Sequence, residues 1–230
     1  MKLDLKKLVL AGTFLFSGMF LSSCLNDDVG SGISDQSGLM VFINASPGTN
    51  GLKFYADNNP IYMPSLDYNQ YYGYVYQRIG NTDFTARTGG TNLDTLSLNI
   101  ELDQFYSMFA VNTAENLELV AYEDNIPSIS GSSKNLIRFI HLSHNAPSVK
   151  VGIEGINENL GTYHFKQSSS FIETNRVFNK KLFLLNAETN DTIFTKNISL
   201  TDGRAYTIFS EGIYESENED YEMDVQLLLY

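Results

Sequence analysis

The feature that most constrains this chain is an internal repeat. The segment VFINASPGTNGLKFYAD at 41–57 aligns with RFIHLSHNAPSVKVGIE at 138–154, at a constant offset of 97 residues. A second block, NIELDQFYSMF at 99–109, aligns with NISLTDGRAYTIF at 197–209 after a two-residue insertion. A repeat of this length predicts two copies of one domain. The polar, glycine-containing segment 128–133 is the expected boundary between them.

Each copy has the pattern of a series of short β-strands. Runs rich in Val, Ile, Phe, Tyr and Thr are separated by Gly, Asn, Asp and Pro turns about every 8–12 residues. The segment TIFTKNISL at 192–200 alternates as a half-buried strand does, whereas LIRFIHL at 136–142 is more continuously apolar, which is typical of a central strand. About seven strands per copy favour an immunoglobulin-like Greek-key β-sandwich. We therefore expect an all-β protein with two tandem sandwiches, at 39–127 and 134–230.

The cores of these sandwiches depend on packing alone. The chain has one cysteine, which excludes an intrachain disulfide and a cysteine-based zinc site. Aromatic and aliphatic side chains therefore have to hold each sandwich together. The predicted core residues are Phe54, Tyr106, Phe109, Phe139, Tyr206 and Phe209.

The single cysteine, Cys24, lies at the end of a hydrophobic leader. Three lysines precede an uncharged apolar run at 8–21, which is shorter than the roughly 20 residues of a transmembrane helix. The run ends in LSSC at 21–24, which resembles the lipobox of bacterial lipoproteins. This resemblance implies cleavage before Cys24, followed by lipid attachment and membrane anchoring. We expect residues 1–23 to be a signal peptide and residues 24–38 to be a lipidated flexible tether.

The residues after the cysteine indicate an address. The segment LNDD at 25–28 places two acids next to the anchor, and it resembles the signal that exports Bacteroidetes lipoproteins to the outer face of the outer membrane. An ordinary polar tether is the alternative, since 29–38 is rich in Gly and Ser. The expected location is the outer membrane, lipid-anchored and facing the cell exterior, with the periplasmic leaflet as the alternative.

The repeat blocks also resemble a known family. Both copies share a Phe-hydrophobic-His/Asn-x-Ser opening, a Pro-containing loop and a short strand that ends in an acid. The second copy adds a Gly turn followed by Tyr-Thr-hydrophobic-Phe in TDGRAYTIFSEG at 201–212, where the first copy has Gln104 and Phe105 instead of the turn. These features resemble the uncharacterised family of secreted bacterial proteins called domain of unknown function 4397. The resemblance covers nearly all of 38–230 and implies a cell-envelope β-domain without assigned catalytic residues.

The polar residues do not form the pattern of a catalytic or metal site. His141 and His144 are three residues apart, so on a strand they would point to opposite faces. The acidic segment EGIYESENEDYEMD at 211–224 has the composition of a weak calcium site or of a solvated loop, and the missing Asp-x-Asp-x-Asp-Gly pattern favours the loop. No Gly-x-Ser-x-Gly elbow is present. We expect no enzyme activity, no cofactor and no metal.

The net charge of −12 predicts no nucleic-acid partner, because binding to the phosphates of a nucleic acid requires Lys and Arg side chains.

The most unusual stretch is YNQYYGYVYQ at 68–77. Alternate positions predict that Tyr72, Tyr74 and Tyr76 share one strand face. Exposed tyrosines offer amphipathic contact area for a sugar or a protein, while a strand with one core face and a tyrosine-decorated edge is the alternative. The second copy has FKQSSSF at 165–171 instead, so the fold does not require the tyrosines. The predicted ligand-binding residues are Tyr62, Tyr72, Tyr74 and Tyr76.

Two further triplets predict a modification. Asp94-Thr95-Leu96 and Asp191-Thr192-Ile193 are 97 residues apart and resemble the acceptor that Bacteroidetes use for O-glycosylation. The alternative is a turn that leads into a strand. Thr95 and Thr192 are the predicted acceptors.

The expected function is a non-catalytic, lipid-anchored envelope protein that acts as a surface binding or interaction module. Its expected partners are the membrane, through the lipid anchor, and an envelope protein or glycan that the sequence does not identify. One alternative is a glycan-binding accessory lipoprotein for polysaccharide capture, with the tyrosines as its platform. The other is a pilus-type structural subunit, joined to its neighbours by strand donation.

Overall fold

The computed structural model describes residues 36–230, which form sixteen β-strands and two short 3₁₀ helices. The strands of the first half are β1 (Ser37–Asn44), β2 (Lys53–Ala56), β3 (Asn59–Pro60), β4 (Gln70–Arg78), β5 (Gly80–Thr88), β6 (Thr91–Ile100), β7 (Phe105–Val111) and β8 (Glu118–Glu123). Those of the second half are β9 (Lys134–His141), β10 (Val149–Ile153), β11 (Asn157–Tyr163), β12 (Ile172–Asn175), β13 (Lys180–Asn186), β14 (Thr192–Ile198), β15 (Ala205–Glu211) and β16 (Asp224–Leu229). The 3₁₀ helices are Ala114–Asn116 and Glu219–Tyr221.

The predicted signal peptide, Cys24 and the first part of the tether lie outside the described residues. Within residues 36–230, no helix is long and apolar enough to cross a membrane.

The repeat in sequence is also a repeat in topology. The first half has the sheets β4-β1-β7-β8 and β3-β2-β5-β6, and the second half has β12-β9-β15-β16 and β11-β10-β13-β14. In each half the first and seventh strands run parallel, and the other neighbours are antiparallel. The predicted fold class, all-β with two tandem sandwiches, is confirmed. Each half has one strand more than the sequence pattern suggested.

The four sheets are stacked with three cores between them. In β1, Met40 and Phe42 point into the outer core of the first half, while Val41 and Ile43 point into a central core shared with the second half. The inner sheets are therefore covered on both faces. Strands that are buried on both faces become largely apolar on both, which explains why apolar residues predominate in LIRFIHL at 136–142, most of which is β9.

All six predicted core residues are buried, but they belong to different cores. Phe54 and Tyr106 lie in the outer core of the first half. Phe109 and Phe209 lie in the central core, where their ring centroids are 5.1 Å apart in an edge-to-face contact. These two residues occupy equivalent positions of the repeat. The halves therefore face each other with the same part of their inner sheets.

A second pair of equivalent residues fixes the turns before the seventh strands. The hydroxyl of Tyr106 accepts a hydrogen bond from the backbone N–H of Glu101 at 3.0 Å. The hydroxyl of Tyr206 accepts one from the N–H of Thr201 at 2.9 Å. Each donor lies five residues upstream, as in the tyrosine corner of immunoglobulin-like domains.

Candidate functional site

The predicted tyrosines lie on and before β4, at the outer edge of an inner sheet. Tyr71 and Tyr76 are each 60% exposed, and Tyr72 and Tyr74 are less exposed. Tyr62 is 98% exposed and lies in the loop between β3 and β4. The structure therefore places an exposed tyrosine cluster on β4 and leaves Tyr62 outside that strand.

The tyrosines of β4 do not share one face, because the strand contains a β-bulge. Gly73 and Tyr74 together lie opposite a single residue of β1. An extra residue reverses the alternation of sides beyond it. Tyr72 pairs with Phe42 and lies on the face of the outer core, whereas Tyr74 and Tyr76 lie on the face toward the second half. The expectation of three tyrosines on one face was wrong for this reason.

Tyr74 belongs to a continuous row of aromatic rings, which we call the aromatic strip. Its ring centroid lies 5.6 Å from that of Phe105 and 6.4 Å from that of Tyr230. Tyr230 in turn lies 5.8 Å from Phe171. The strip thus connects β4 of the first half to the loop before β12 of the second half. Burial raises the pKa of the Tyr74 hydroxyl, so this side chain remains neutral.

The aromatic strip leads into a groove between the two halves, which we call the junction groove. It consists of two adjoining cavities of about 400 and 550 Å³ that share Asn125, Ser170 and Phe171. The first half contributes the start of β7, the end of β8 and the linker that follows. The second half contributes β9 and the loop before β12.

The floor of the junction groove is a buried ionic network around Arg138. Its Nη2 donates to Asp124 Oδ1 at 2.6 Å and to the hydroxyl of Tyr230 at 2.8 Å. Its Nε donates to Thr207 Oγ1 at 3.0 Å, and its Nη1 donates to the carbonyl of Glu123 at 3.0 Å. The Arg138 and Asp124 side chains are almost fully buried. The guanidinium is therefore committed to contacts within the protein.

Burial dominates the titration of this network. It raises the pKa of Asp124, and the positive charge of Arg138 opposes that shift. Burial also raises the pKa of Tyr230 to about 12, so its hydroxyl stays protonated at neutral pH. Tyr230 can then hydrogen-bond to Ser107 and Thr207, which are equivalent residues of the two halves and lie 3.0 and 2.8 Å from it.

Neither of the paired histidines points to a catalytic or metal site, and His141 has a structural position. His141 is buried on β9, where its Nε2 donates to the carbonyl of Pro147 at 3.2 Å and its Nδ1 accepts from Ser210 Oγ at 2.7 Å. Burial lowers the pKa of His141 to about 4, so the ring is neutral. His144 lies in the loop after β9. Across residues 36–230, no three His, Cys, Asp or Glu side chains are grouped to hold a metal ion.

The acidic segment 211–224 is an ordered connection between β15 and β16. The N–H of Ile213 donates to the carbonyl of Tyr221 at 2.7 Å. The ring of Tyr221 packs edge-on against Tyr68, with centroids 5.8 Å apart. Asp224, at the end of the segment, accepts a hydrogen bond from Lys196 at 2.8 Å. The segment therefore packs against both halves, although most of its acids are exposed.

One acid of this segment is fully buried. Glu211 lies at the end of β15 beside a cavity of about 60 Å³, with the Asn69 side-chain amide in hydrogen-bonding range. Burial raises the pKa of Glu211 to about 8. The charge of Asp224 adds to this shift, whereas a hydrogen bond from Gln226 and the charge of Lys196 oppose it. Glu211 is therefore mostly protonated at neutral pH.

Both predicted glycosylation acceptors are exposed. Thr95 lies within β6 with its hydroxyl 3.1 Å from that of Thr85, and Thr192 is the first residue of β14. The neighbouring Asp94 has a structural contact of its own, because it accepts a hydrogen bond from the N–H of Leu119 at 2.7 Å. The triplets thus belong to strands, and O-glycosylation at these threonines stays a prediction.

Sequence reasoning did not identify the residues that line the junction groove. Phe105, Asn125 and Phe171 come from three separate segments, and no local pattern connects them. The one signal in the sequence is FKQSSSF at 165–171, which is the counterpart in the second half of the tyrosine-rich stretch 68–77. Its second phenylalanine is Phe171, part of the aromatic strip.

Comparisons with known proteins give one informative result. No curated protein matches the chain. Among solved structures, the chain is similar to a CBM26 carbohydrate-binding module of Eubacterium rectale Amy13K in complex with maltoheptaose, at 7% identity. The match covers 84% of this chain and 97% of that chain with a TM-score of 0.26, a level that supports no conclusion on fold or ligand.

A family model described as Domain of unknown function (DUF4397) matches residues 38–152, half of the chain and all strands of the first half. The chain therefore belongs to the DUF4397 family.

Proposed function

We propose that this protein is a non-catalytic binding module that a lipid anchor displays at the surface of the outer membrane. The motif LSSC at 21–24 supports the anchor, and the acids in 25–28 support an exterior location of the Bacteroidetes type. The repeated strand order supports two tandem copies of the family domain. Its partners are the membrane and an envelope protein or glycan.

The observation that carries the binding role is the aromatic strip together with the exposed tyrosines of β4. β4 has nine residues, whereas the equivalent strand β12 has four. Packing against Phe105 and Tyr230 holds Tyr74 in place next to the exposed Tyr76. Aromatic side chains that are held in place and still accessible lose little entropy on binding. This surface is therefore suited to recognition.

A catalytic role has less support. The strongest candidates for chemistry, Arg138 and Asp124, contact each other at 2.6 Å beneath the groove. Glu211 is buried in the central core rather than in the groove. These groups stabilise or tune the junction between the halves instead of facing a substrate.

The two alternative functions, a pilus-type subunit and a glycan-binding lipoprotein, differ in how much the structure supports them. Strand donation requires a sandwich with a strand-wide gap, but each half encloses a continuous core between two four-stranded sheets, so the pilus-type subunit gains no support from residues 36–230. Glycan capture is favoured by one observation, the polar and aromatic lining of the junction groove.

The binding role is tested with Tyr74→Ala in the full-length lipoprotein, purified with its anchor. Cell-surface glycans and purified outer-membrane proteins are the probes. We expect Tyr74→Ala to weaken binding about tenfold, as loss of a central aromatic contact does. Phe178→Ala is the control, because this aromatic residue is also exposed but lies outside β4 and the aromatic strip. Binding that is unchanged by Tyr74→Ala, or absent from the wild type, contradicts the proposal.

The anchor is tested with Cys24→Ser. We expect the variant to leave the membrane fraction, because the thiol that carries the lipid is gone. Protease added to intact cells should degrade the wild-type protein if it faces the exterior. Protection of the wild type from protease would show that the protein faces the periplasm.

A further inference from the structure

We propose that the junction groove is the ligand site of this protein and that its ligand is an uncharged oligosaccharide. This inference rests on the proposed binding function and adds the place of the site and the class of the ligand. Phe105 and Phe171 would pack on the C–H faces of the sugar rings, and Gln104, Glu123 and Asn125 would hydrogen-bond to the hydroxyls.

The size and position of the groove suit an extended ligand. Its two cavities, of about 400 and 550 Å³, each fall within the range of small-molecule sites, about 300–1,000 Å³. They adjoin at Asn125, Ser170 and Phe171, so one ligand can occupy both. Ligand sites occur preferentially where two domains meet, and here both halves contribute walls.

The aromatic walls are held in place before any ligand arrives. The guanidinium carbon of Arg138 lies 4.8 Å from the centre of the Phe171 ring, and Tyr230 contacts the same ring at 5.8 Å. Phe105 is held by Tyr74 and remains 38% exposed. Rigid aromatic rings lower the entropic cost of binding. They also provide apolar surface for the C–H faces of pyranose rings.

The polar groups of the groove are arranged as both donors and acceptors. The side-chain nitrogen of Gln104 donates to the carbonyl of Phe105 at 3.1 Å and to Asn125 Oδ1 at 3.3 Å. The nitrogen of Asn125 donates to Glu123 Oε2 at 3.2 Å. These bonds orient the amides and leave Gln104 Oε1, Glu123 Oε1 and one N–H of Asn125 for a ligand. Sugar hydroxyls both donate and accept, so they match this mixed set.

The charges of the groove argue against an anionic ligand. Arg138 is the only cation among the described residues that line it, and its N–H groups contact Asp124, Tyr230 and Thr207. The remaining charged group at the rim is Glu123, whose carboxylate would repel an anion. A polysaccharide with uronic acids or sulfates would therefore meet a negative rim without a free positive partner.

The test uses the full-length lipoprotein in a detergent without a sugar head group. The probes are oligosaccharides of glucan, mannan, xylan and galactan, with oligogalacturonate and a sulfated oligosaccharide as charged comparisons. Isothermal calorimetry measures the affinity for each probe. The variants are Phe105→Ala and Asn125→Ala, which alter the groove without touching Arg138. Phe178→Ala is the matched control, because this phenylalanine also lies near an arginine, Arg176, but is 65% exposed outside the groove.

We expect at least one uncharged oligosaccharide to bind in a 1:1 complex. Phe105→Ala and Asn125→Ala should each weaken this binding about tenfold, and Phe178→Ala should leave it unchanged. Thermal melting checks that every variant is folded. Preference for a charged probe, or binding that neither groove variant weakens, overturns the inference.

The remaining outcomes separate the inference from the proposed function. If no uncharged oligosaccharide binds while an outer-membrane protein still binds in a Tyr74-dependent manner, the ligand class is wrong and the binding function stands. If neither glycan nor outer-membrane protein binds, both are wrong.

Discussion

The edge strands β4 and β12 occupy the same place in the two halves, yet they differ in length and composition. β4 has nine residues and carries four exposed tyrosines, whereas β12 has four residues, Ile172–Asn175, and no aromatic residue. Both strands pair with the first strand of their half, in sheets of the same order. The framework therefore tolerates either strand. The shared framework does not require the tyrosines of β4, which is why we propose them as part of a binding surface.

The halves also differ where they meet. Val41 of the first half corresponds to Arg138 of the second, and Val111 corresponds to Glu211. The two valines lie in the central core, while the two charged residues lie toward its opposite ends. The contact between the equivalent residues Phe109 and Phe209 lies between them. The shared framework thus supplies the apolar contact, and the second half adds Arg138 and Glu211, two charged residues that stand where the first half has valines.

Loss of the positive charge of Arg138 is expected to have the strongest destabilising effect. The equivalent residue of the first half is Val41, which carries no charge. Arg138→Met leaves Asp124 buried without its cation, and we expect the free energy of unfolding to fall by about 3–5 kcal/mol. Urea denaturation measures the change. The double variant Arg138→Met, Asp124→Leu should recover part of the loss, because it removes both charges. A loss below about 1 kcal/mol in the single variant would mean that the pair is no stronger than a surface ion pair.

The second prediction concerns Glu211, the other charged residue without a counterpart in the first half. Its pKa rises from 4.5 in the unfolded chain to about 8 in the folded protein. Protonated Glu211 therefore contributes its full share to the stability of the folded protein below pH 4.5, and this contribution is lost as the pH rises toward 8. Glu211→Gln stays neutral, so at pH 9 we expect it to be more stable than the wild type by on the order of 5 kcal/mol.

Thermal melting between pH 5 and 9 checks this prediction. The quantity to compare is the difference in melting temperature between the variant and the wild type at each pH. His141 acts in the opposite sense, because its lowered pKa, about 4, removes stability as the pH falls below 6.5. That contribution is common to both proteins and cancels in the difference. Glu215→Gln is the control, since Glu215 is an exposed acid of the same segment. A difference that does not grow with pH would contradict the prediction.

The smallest expected effect tests what the halves share. Tyr106→Phe and Tyr206→Phe each remove a hydroxyl that accepts a hydrogen bond from the backbone five residues upstream. We expect each variant to lose about 1 kcal/mol of unfolding free energy. Tyr62→Phe serves as the control, because Tyr62 is almost fully exposed. If only one of the two variants loses stability, the two turns are not equivalent.

Much of the fold could be predicted because its signals are local or repeated. The offset of 97 residues between β1 and β9 reflects two strands that are each buried at seven of their eight positions, and turn residues mark where strands end. The six core residues were predictable because large aromatic side chains at aligned positions are buried. Their division among three cores was not predictable, since it depends on which sheet packs against which.

The candidate site was predictable only in part. The sequence indicated the tyrosines, and Gly73 inside a strand pattern is a usual signal of a bulge or of close backbone approach. In the structure Gly73 is part of a bulge and also approaches β1 closely. A Cβ at Gly73 would lie 2.7 Å from the Cβ of Val41. Which tyrosines share a face depends on the register between β4 and β1, and a single extra residue reverses it.

The all-β class, the duplication and the tyrosine-rich segment can be read from the sequence, because alternation, turn residues and repeats are properties of neighbouring or aligned positions. The packing of the inner sheets against each other, the contact between Arg138 and Asp124, and the groove above that pair depend on the three-dimensional arrangement of the chain. The physical reason is that burial and charge pairing act between groups that are close in space, and here they join the linker after β8 to strand β9 and the loop before β12.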